Sequence, residues 1–217
     1  MSKIIVIGSF NLDFVFMVDR FVLPKETYHS NGMELHFGGK GFNQAVALGR
    51  SYPDVFYAAN INDKESYIKD VLSKNGVNPK YVRTISTPTG MAFIQVNQEG
   101  ENCILLNKGS NHKFDLEQFV EILNHFDEGD TLVLQNEINE LQTLITLAHK
   151  RHLKIALNPS PFNDDILKLP LDVLDYIFIN DLEGEMLTHQ KDPNAILDAL
   201  KIKLPRCEVV LTLGSEG

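Results

Sequence analysis

The chain has no run of lysine or arginine, and acidic residues outnumber basic ones 29 to 20, a net charge of −9. That excludes a nucleic acid or an anionic membrane surface as its main partner. Phosphate could still bind, but only at a local site of backbone amides or a metal. Cysteine is scarce: Cys103 and Cys207 stand far apart and fit no metal-ligand spacing. They read as two reduced, mostly buried thiols of a cytoplasmic protein. The opening "MSKIIVIGSF" gives way to "NLD" after a few apolar residues, too short for a signal peptide or a membrane span. Internal repeats, low-complexity tracts and long linkers are missing. His149 and His152 lie three apart without an acidic third ligand nearby, so they read as surface residues rather than a zinc site. With no G-x-S-x-G elbow and no cysteine beside a histidine, a hydrolase using a covalent nucleophile finds no support.

What is present is ordinary globular material, 43% apolar and 23% charged over 217 residues. Short apolar runs at 4–7, 55–59, 131–134, 154–157, 176–179 and 209–213 read as strands, the last of them buried. Helical patterns stand between them, at 41–52, 64–75, 140–151 and from Asp181, and another begins at a capping-box-like pair, Asp115 and Gln118. Such βα alternation predicts an α/β fold, a parallel sheet flanked by helices on both faces. Two segments, about 13–35 and 89–107, have strand character without intervening helices, and "QEGE" offers a hairpin turn in the second. They predict a small β-lid on a single main domain spanning 1–217.

Ligands of open parallel sheets gather at the carboxyl ends of the strands. There, in "GSFNLD", Asn11 and Asp13 would share one side of an extended segment and could grip neighbouring hydroxyls, or could form an Asx turn. "FGGKGFNQAVALGR" sets glycines 38, 39 and 41 around Lys40 at a helix start, with Asn43 on the same turn. It reads as a ligand loop, but not a P-loop, since no Ser or Thr follows Lys40 to hold magnesium. Glu137 follows another strand and could orient a hydroxyl or cap the next helix. Asn180 and Glu183 share a face at a helix start, where they could hold hydrated Mg²⁺ and a phosphate oxygen or complement the helix dipole. "TLGSEG" supplies small residues and free amides suited to a nucleotide.

In their order, "GSFNLD", "FGGKGFNQAVALGR", "NPSP", "INDLEGE" and "LTLGSEG" resemble the ribokinase-like (PfkB) family of carbohydrate kinases over essentially the whole chain, and "GENCILLN" fits that family's lid. The resemblance implies an ATP-dependent kinase acting on a primary hydroxyl, most of all ribose to ribose 5-phosphate. It implies Mg²⁺, K⁺ activation, a cytoplasmic setting and a homodimer formed through the lid, with small-molecule sugar and ATP as partners. Sugar would meet Asn11, Asp13, Gly39, Lys40, Asn43 and Glu137. Nucleotide would meet Asn180, Thr212, Gly214, Ser215 and Gly217, with Glu183 reaching the metal through water. Phe42 departs from the family's usual small residue and would either narrow the sugar site or pack under the lid. The family's Gly-Ala-Gly-Asp motif, whose aspartate takes the proton from the sugar hydroxyl, does not occur among the 217 residues. The chain therefore reads as an N-terminal part, a fragment without its catalytic base, and the 217-residue form is expected to be inactive. The alternatives are a non-catalytic sugar-binding remnant and a fructokinase or nucleoside kinase of the same fold.

Overall fold

The computed structural model describes residues 2–214. Strands β1 (Ile4–Ile7), β4 (Val55–Asn62), β5 (Val77–Ile85), β8 (Thr131–Gln135), β9 (Lys154–Asn158), β10 (Tyr176–Asn180) and β11 (Glu208–Thr212) build the main sheet. Every pair in it is parallel, in the order β11-β10-β9-β8-β1-β4-β5. The chain moves outward from β1 in one direction, then returns to β8 and moves outward in the other. The crevice between β1 and β8 is thus the topological switch point, where open sheets bind ligands.

Alternation along the strands splits the core in two. Ile5, Ile7, Leu132, Leu134, Ile177 and Ile179 face helices α3 (Leu116–Leu123), α4 (Leu141–Lys150), α5 (Asp181–Thr188) and α6 (Pro193–Lys203). In α4 the buried set Leu141, Leu144, Ile145 and Ala148 has the i, i+3, i+4, i+7 spacing of an amphipathic helix. Val6, Val55, Tyr57 and Ala59 face the other way, toward α1 (Lys40–Gly49) and α2 (Ile68–Lys74).

A second sheet, in the order β3-β2-β6-β7, comprises β2 (Asn11–Met17), β3 (Gly32–Gly38), β6 (Gly90–Val96) and β7 (Asn102–Asn107). Its outer strands expose Met33, Leu35, Ile104, Leu105 and Leu106. Of the four strands, β2 follows β1 directly, so the two sheets meet beside the crevice.

Three local expectations change, and one strand, β5, is new. Strand β11 is not buried; at the sheet's edge it has one neighbour, and its residues alternate between exposed and half-covered. Cys103 is exposed on β7 rather than buried, and Cys207 is half-buried. Asp115 does cap α3, accepting from the Gln118 backbone at 2.7 Å, but the Gln118 side chain turns inward to a reciprocal amide pair with Asn60. The capping box is therefore only half made. Strand β5 runs through Pro79, which an edge strand tolerates, with a register shift opposite Tyr57.

Candidate functional site

Where β1 ends, Gly8 and Ser9 press against the start of α1. A Cβ on Gly41 would lie 2.6 Å from the Ser9 nitrogen, and one on Gly39 would lie 2.7 Å from the Ser9 carbonyl oxygen. Gly39 also has φ of 90°, so a side chain there is doubly excluded. The space these glycines open is filled by the protein's own backbone. The first amides of α1 are likewise engaged internally: Lys40 N–H donates to Glu137 Oε2 at 2.8 Å, Gly41 N–H to Ser9 Oγ at 3.3 Å, and Phe42 N–H to the Ser9 carbonyl at 3.0 Å. A helix start whose free donors are already paired has no amides left to cradle phosphate.

Glu137, just past β8, closes this knot. Its Oε2 also accepts from Ser9 Oγ, and its Oε1 accepts from Lys40 Nζ at 3.3 Å. It does not cap α4, whose N-cap residue is Glu140. Tyr57 lies beneath and donates to the Ser9 carbonyl at 2.6 Å. Burial, and then the Glu137 charge, hold its phenol well above the ordinary range.

Asn11 and Asp13 both lie in β2, two residues apart and hence on one face, as the extended reading requires. Gly38 makes room for the Asp13 carboxylate, which a Cβ there would strike. Asp13 Oδ1 is buried and has no hydrogen-bond partner among the described residues. Burial first, and then the Glu137 charge, raise the Asp13 pKa, while His36 and Lys40 partly offset them. An unpaired buried carboxylate oxygen is costly and calls for a donor. Asn43 is exposed on α1. Phe42 is only 6% exposed and packs edge-on against Phe10, Phe37 and Tyr57, so it belongs to the core under β3 and does not narrow the cleft.

The cleft has a volume of about 530 Å³ and lies beyond the ends of β8 and β9, with Asn11, Asn111, Asn136, Glu137 and Asn163 among its lining, while Asp13 and Lys40 stand outside that lining. Ser9, Asn111 and Asn136 were not anticipated from sequence. Ser9 had a signal, its position at the end of the first strand; Asn111 sits in a short helical turn and Asn136 in a loop, neither with a periodic pattern.

The other candidate residues lie two strands away. Asn180 and Glu183 form a reciprocal capping box at α5: Asn180 Oδ1 accepts from Glu183 N–H at 2.8 Å, and Asn180 N–H donates to Glu183 Oε2 at 3.0 Å. Thr212 ends β11 and donates to the Ile179 carbonyl at 3.3 Å, and Gly214 follows with φ of 60°. Ser215 and Gly217 lie outside the described residues. Because all seven strands are parallel, both groups face the same edge of the sheet, separated by β9. No cluster of three metal-ligating side chains occurs among the described residues, and none of their helices is long and apolar enough to cross a membrane.

Residues 1–217 match the family described as pfkB family carbohydrate kinase. The chain is 31% identical to the ribokinase of Haemophilus influenzae over 224 residues, covering 98% of this chain and 72% of the relative. It is 33% identical to the ribokinase of Schizosaccharomyces pombe over 238 residues, covering 100% and 74%. Among solved structures it superposes on a Cryptococcus neoformans ribokinase in complex with ADP with a TM-score of 0.81 at 27% identity, covering 100% of this chain and 74% of that one. For the ribokinase of Giardia lamblia the TM-score is 0.84 at 25% identity, with 100% and 70% covered.

Proposed function

Because the chain belongs to the pfkB family of carbohydrate kinases, we propose that its cleft takes ribose and holds it for transfer of the ATP γ-phosphoryl group to the primary hydroxyl, giving ribose 5-phosphate. The observation that carries this reading is the buried, unpartnered Oδ1 of Asp13, set beside the Lys40–Glu137 pair and on the same strand face as Asn11. A sugar hydroxyl is the neutral donor that such an oxygen lacks, and adjacent hydroxyls suit an amide and a carboxylate two residues apart. The paired amides of α1 favour a sugar over a phosphate at this end of the sheet. The ribokinase names of the relatives support ribose over fructose or a nucleoside.

The same reading gives ATP the β10–β11 end, with Asn180, Thr212 and Gly214, and Ser215 and Gly217 beyond the described residues. One largely buried carboxylate, Glu183 at 6% exposure, with an amide beside it, fits Mg²⁺, which keeps most of its shell as water and phosphate oxygens. When bound, the metal would neutralise phosphate charge. The protein's own residues there hold the turn that faces it. K⁺ belongs to the same reading for the full-length enzyme, as does a cytoplasmic setting. The small sheet acts as the lid over the sugar, and its exposed apolar strands β3 and β7 pair with a second copy. Since the residue that would accept the hydroxyl proton belongs to a motif absent from these 217 residues, they bind sugar without turning it over.

Calorimetry with ribose, fructose and adenosine tests the substrate: ribose binds most tightly, and a preference for either rival would move the chain to another branch. Ribose-dependent ATP turnover is expected to be undetectable, and clear turnover would show that the absent aspartate is dispensable.

A further inference from the structure

We infer that Asn111 is a positioning residue that sets the direction of the hydrogen bond Asn11 offers to the sugar, so that Asn11 presents a donor. This rests on the sugar reading above, but its geometric core does not.

One group beside Asn111 has a fixed polarity. The backbone N–H of Phe10 can only donate, and it points at the Asn111 side-chain amide, 3.0 Å from Oδ1. The oxygen of that amide must face Phe10, so its NH₂ must face away. It faces Asn11, donating from Nδ2 to Asn11 Oδ1 at 2.7 Å. The Asn11 oxygen is thereby occupied, and its NH₂ is left pointing elsewhere; it makes no hydrogen bond among the described residues, and Asn11 lines the cleft. Amide orientations are settled by such networks, and here one unambiguous backbone donor settles two side chains in series.

Burial makes the relay firm. Asn111 is 3% exposed and Asn11 7%, so water cannot easily replace either bond. Gly90, opposite Asn11 in the register of β2 and β6, supports the pair from below. A Cβ on Gly90 would strike both Asn111 Nδ2 and Asn11 Oδ1, so the hydrogen bond sits where a side chain would otherwise stand. Asn111 also lies in the short helical turn Gly109–His112 that follows β7, so the relay joins the end of the small sheet to the strand that carries Asp13. The consequence for recognition is a complementary pair on one strand face. Asn11 offers N–H, and Asp13 offers an oxygen. A ligand that accepts at the first and donates at the second satisfies both, which a vicinal diol does.

Solvent exchange of side-chain amides, measured by ¹⁵N NMR on the sugar-free wild-type chain, reads the orientation directly. The Asn111 NH₂ should exchange slowly and the Asn11 NH₂ fast; the reverse pattern would overturn the inference whether or not any sugar binds. Asn111→Asp keeps the acceptor for Phe10 N–H but cannot donate, so Asn11 turns its oxygen toward the cleft. Ribose affinity should fall about tenfold or more. On an Asn11→Ala background the same Asn111→Asp change should cost no further affinity, because the group it acts through is gone. An equal loss on both backgrounds would mean that Asn111 acts only as a structural residue. If Asn111→Asp does not fold, the wild-type exchange pattern still decides. If the wild type binds no sugar at all, the ribose reading falls while the exchange pattern separately judges the relay.

Discussion

The middle of the main sheet and its β11 edge are built differently. At the β1–β8 crevice, Ser9, Lys40, Glu137, Tyr57 and the amides of α1 form one connected hydrogen-bond network beneath a carboxylate whose free oxygen is buried. At the β10–β11 edge, Asn180 and Glu183 cap each other, on strands whose outer face is open among the described residues: Phe178 and Val210, paired in register, are 40% and 41% exposed. A site assembled from residues more than a hundred positions apart depends on the core that brings them together. The capping box, by contrast, is local and needs little else. The crevice is therefore a network drawn from distant segments, while the β10–β11 edge carries a short local motif.

The contrast can be broken most forcefully in the core. Leu134 is fully buried in β8, directly before the crevice. Leu134→Ala should cost about 2–5 kcal/mol in denaturant unfolding and weaken ribose binding with it. Next comes Gly41→Ala, which drives a Cβ against the Gly8–Ser9 backbone, a neighbour that cannot turn aside. A loss of about 1–3 kcal/mol and a disturbed sugar affinity are expected. Asn180→Ala removes a cap and should cost about 1 kcal/mol by thermal melting, with ribose affinity unchanged. Smallest is Val210→Thr on the open face of β11, expected to stay within roughly 0.5 kcal/mol of wild type. If Asn180→Ala weakened ribose binding as Gly41→Ala does, the two regions would be coupled and the contrast would be wrong.

Much of the frame was legible. The apolar runs of β1, β8, β9 and β10 and the helical spacing of α4 dictate strands and helices because each buries a continuous face. What escaped notice had competing local chemistry. Strand β5 contains Pro79, Lys80 and Arg83, which argue against a central strand and are compatible with an edge. Strand β3 is mostly exposed, and only its start falls within the segment 13–35 that reads as strand. Strand β11 reads as buried from composition, yet its exposure depends on how many neighbours the sheet supplies. In the site, the pairings of Ser9 with Glu137 and Asn11 with Asn111 span 128 and 100 residues. No local pattern encodes such meetings; they follow from β8 returning to lie beside β1 and from the small sheet folding over both.

Asp13 is the point where these arguments converge. Its pKa is raised in the folded protein, so the folded state holds that proton more tightly than the unfolded chain does. Stability contributed by this group is present below the ordinary value of 3.8 and is lost as pH rises through the raised folded value. An asparagine at this position would not titrate, so Asp13→Asn should gain on the wild type in melting temperature as pH rises to neutral. The decisive measurement is ribose binding by the two proteins at pH 7, by calorimetry. The wild type should bind one ribose per chain, and the more stable Asp13→Asn variant should lose roughly a hundredfold in affinity. Equal binding by both, or none by the wild type, would contradict a sugar site built around this carboxylate.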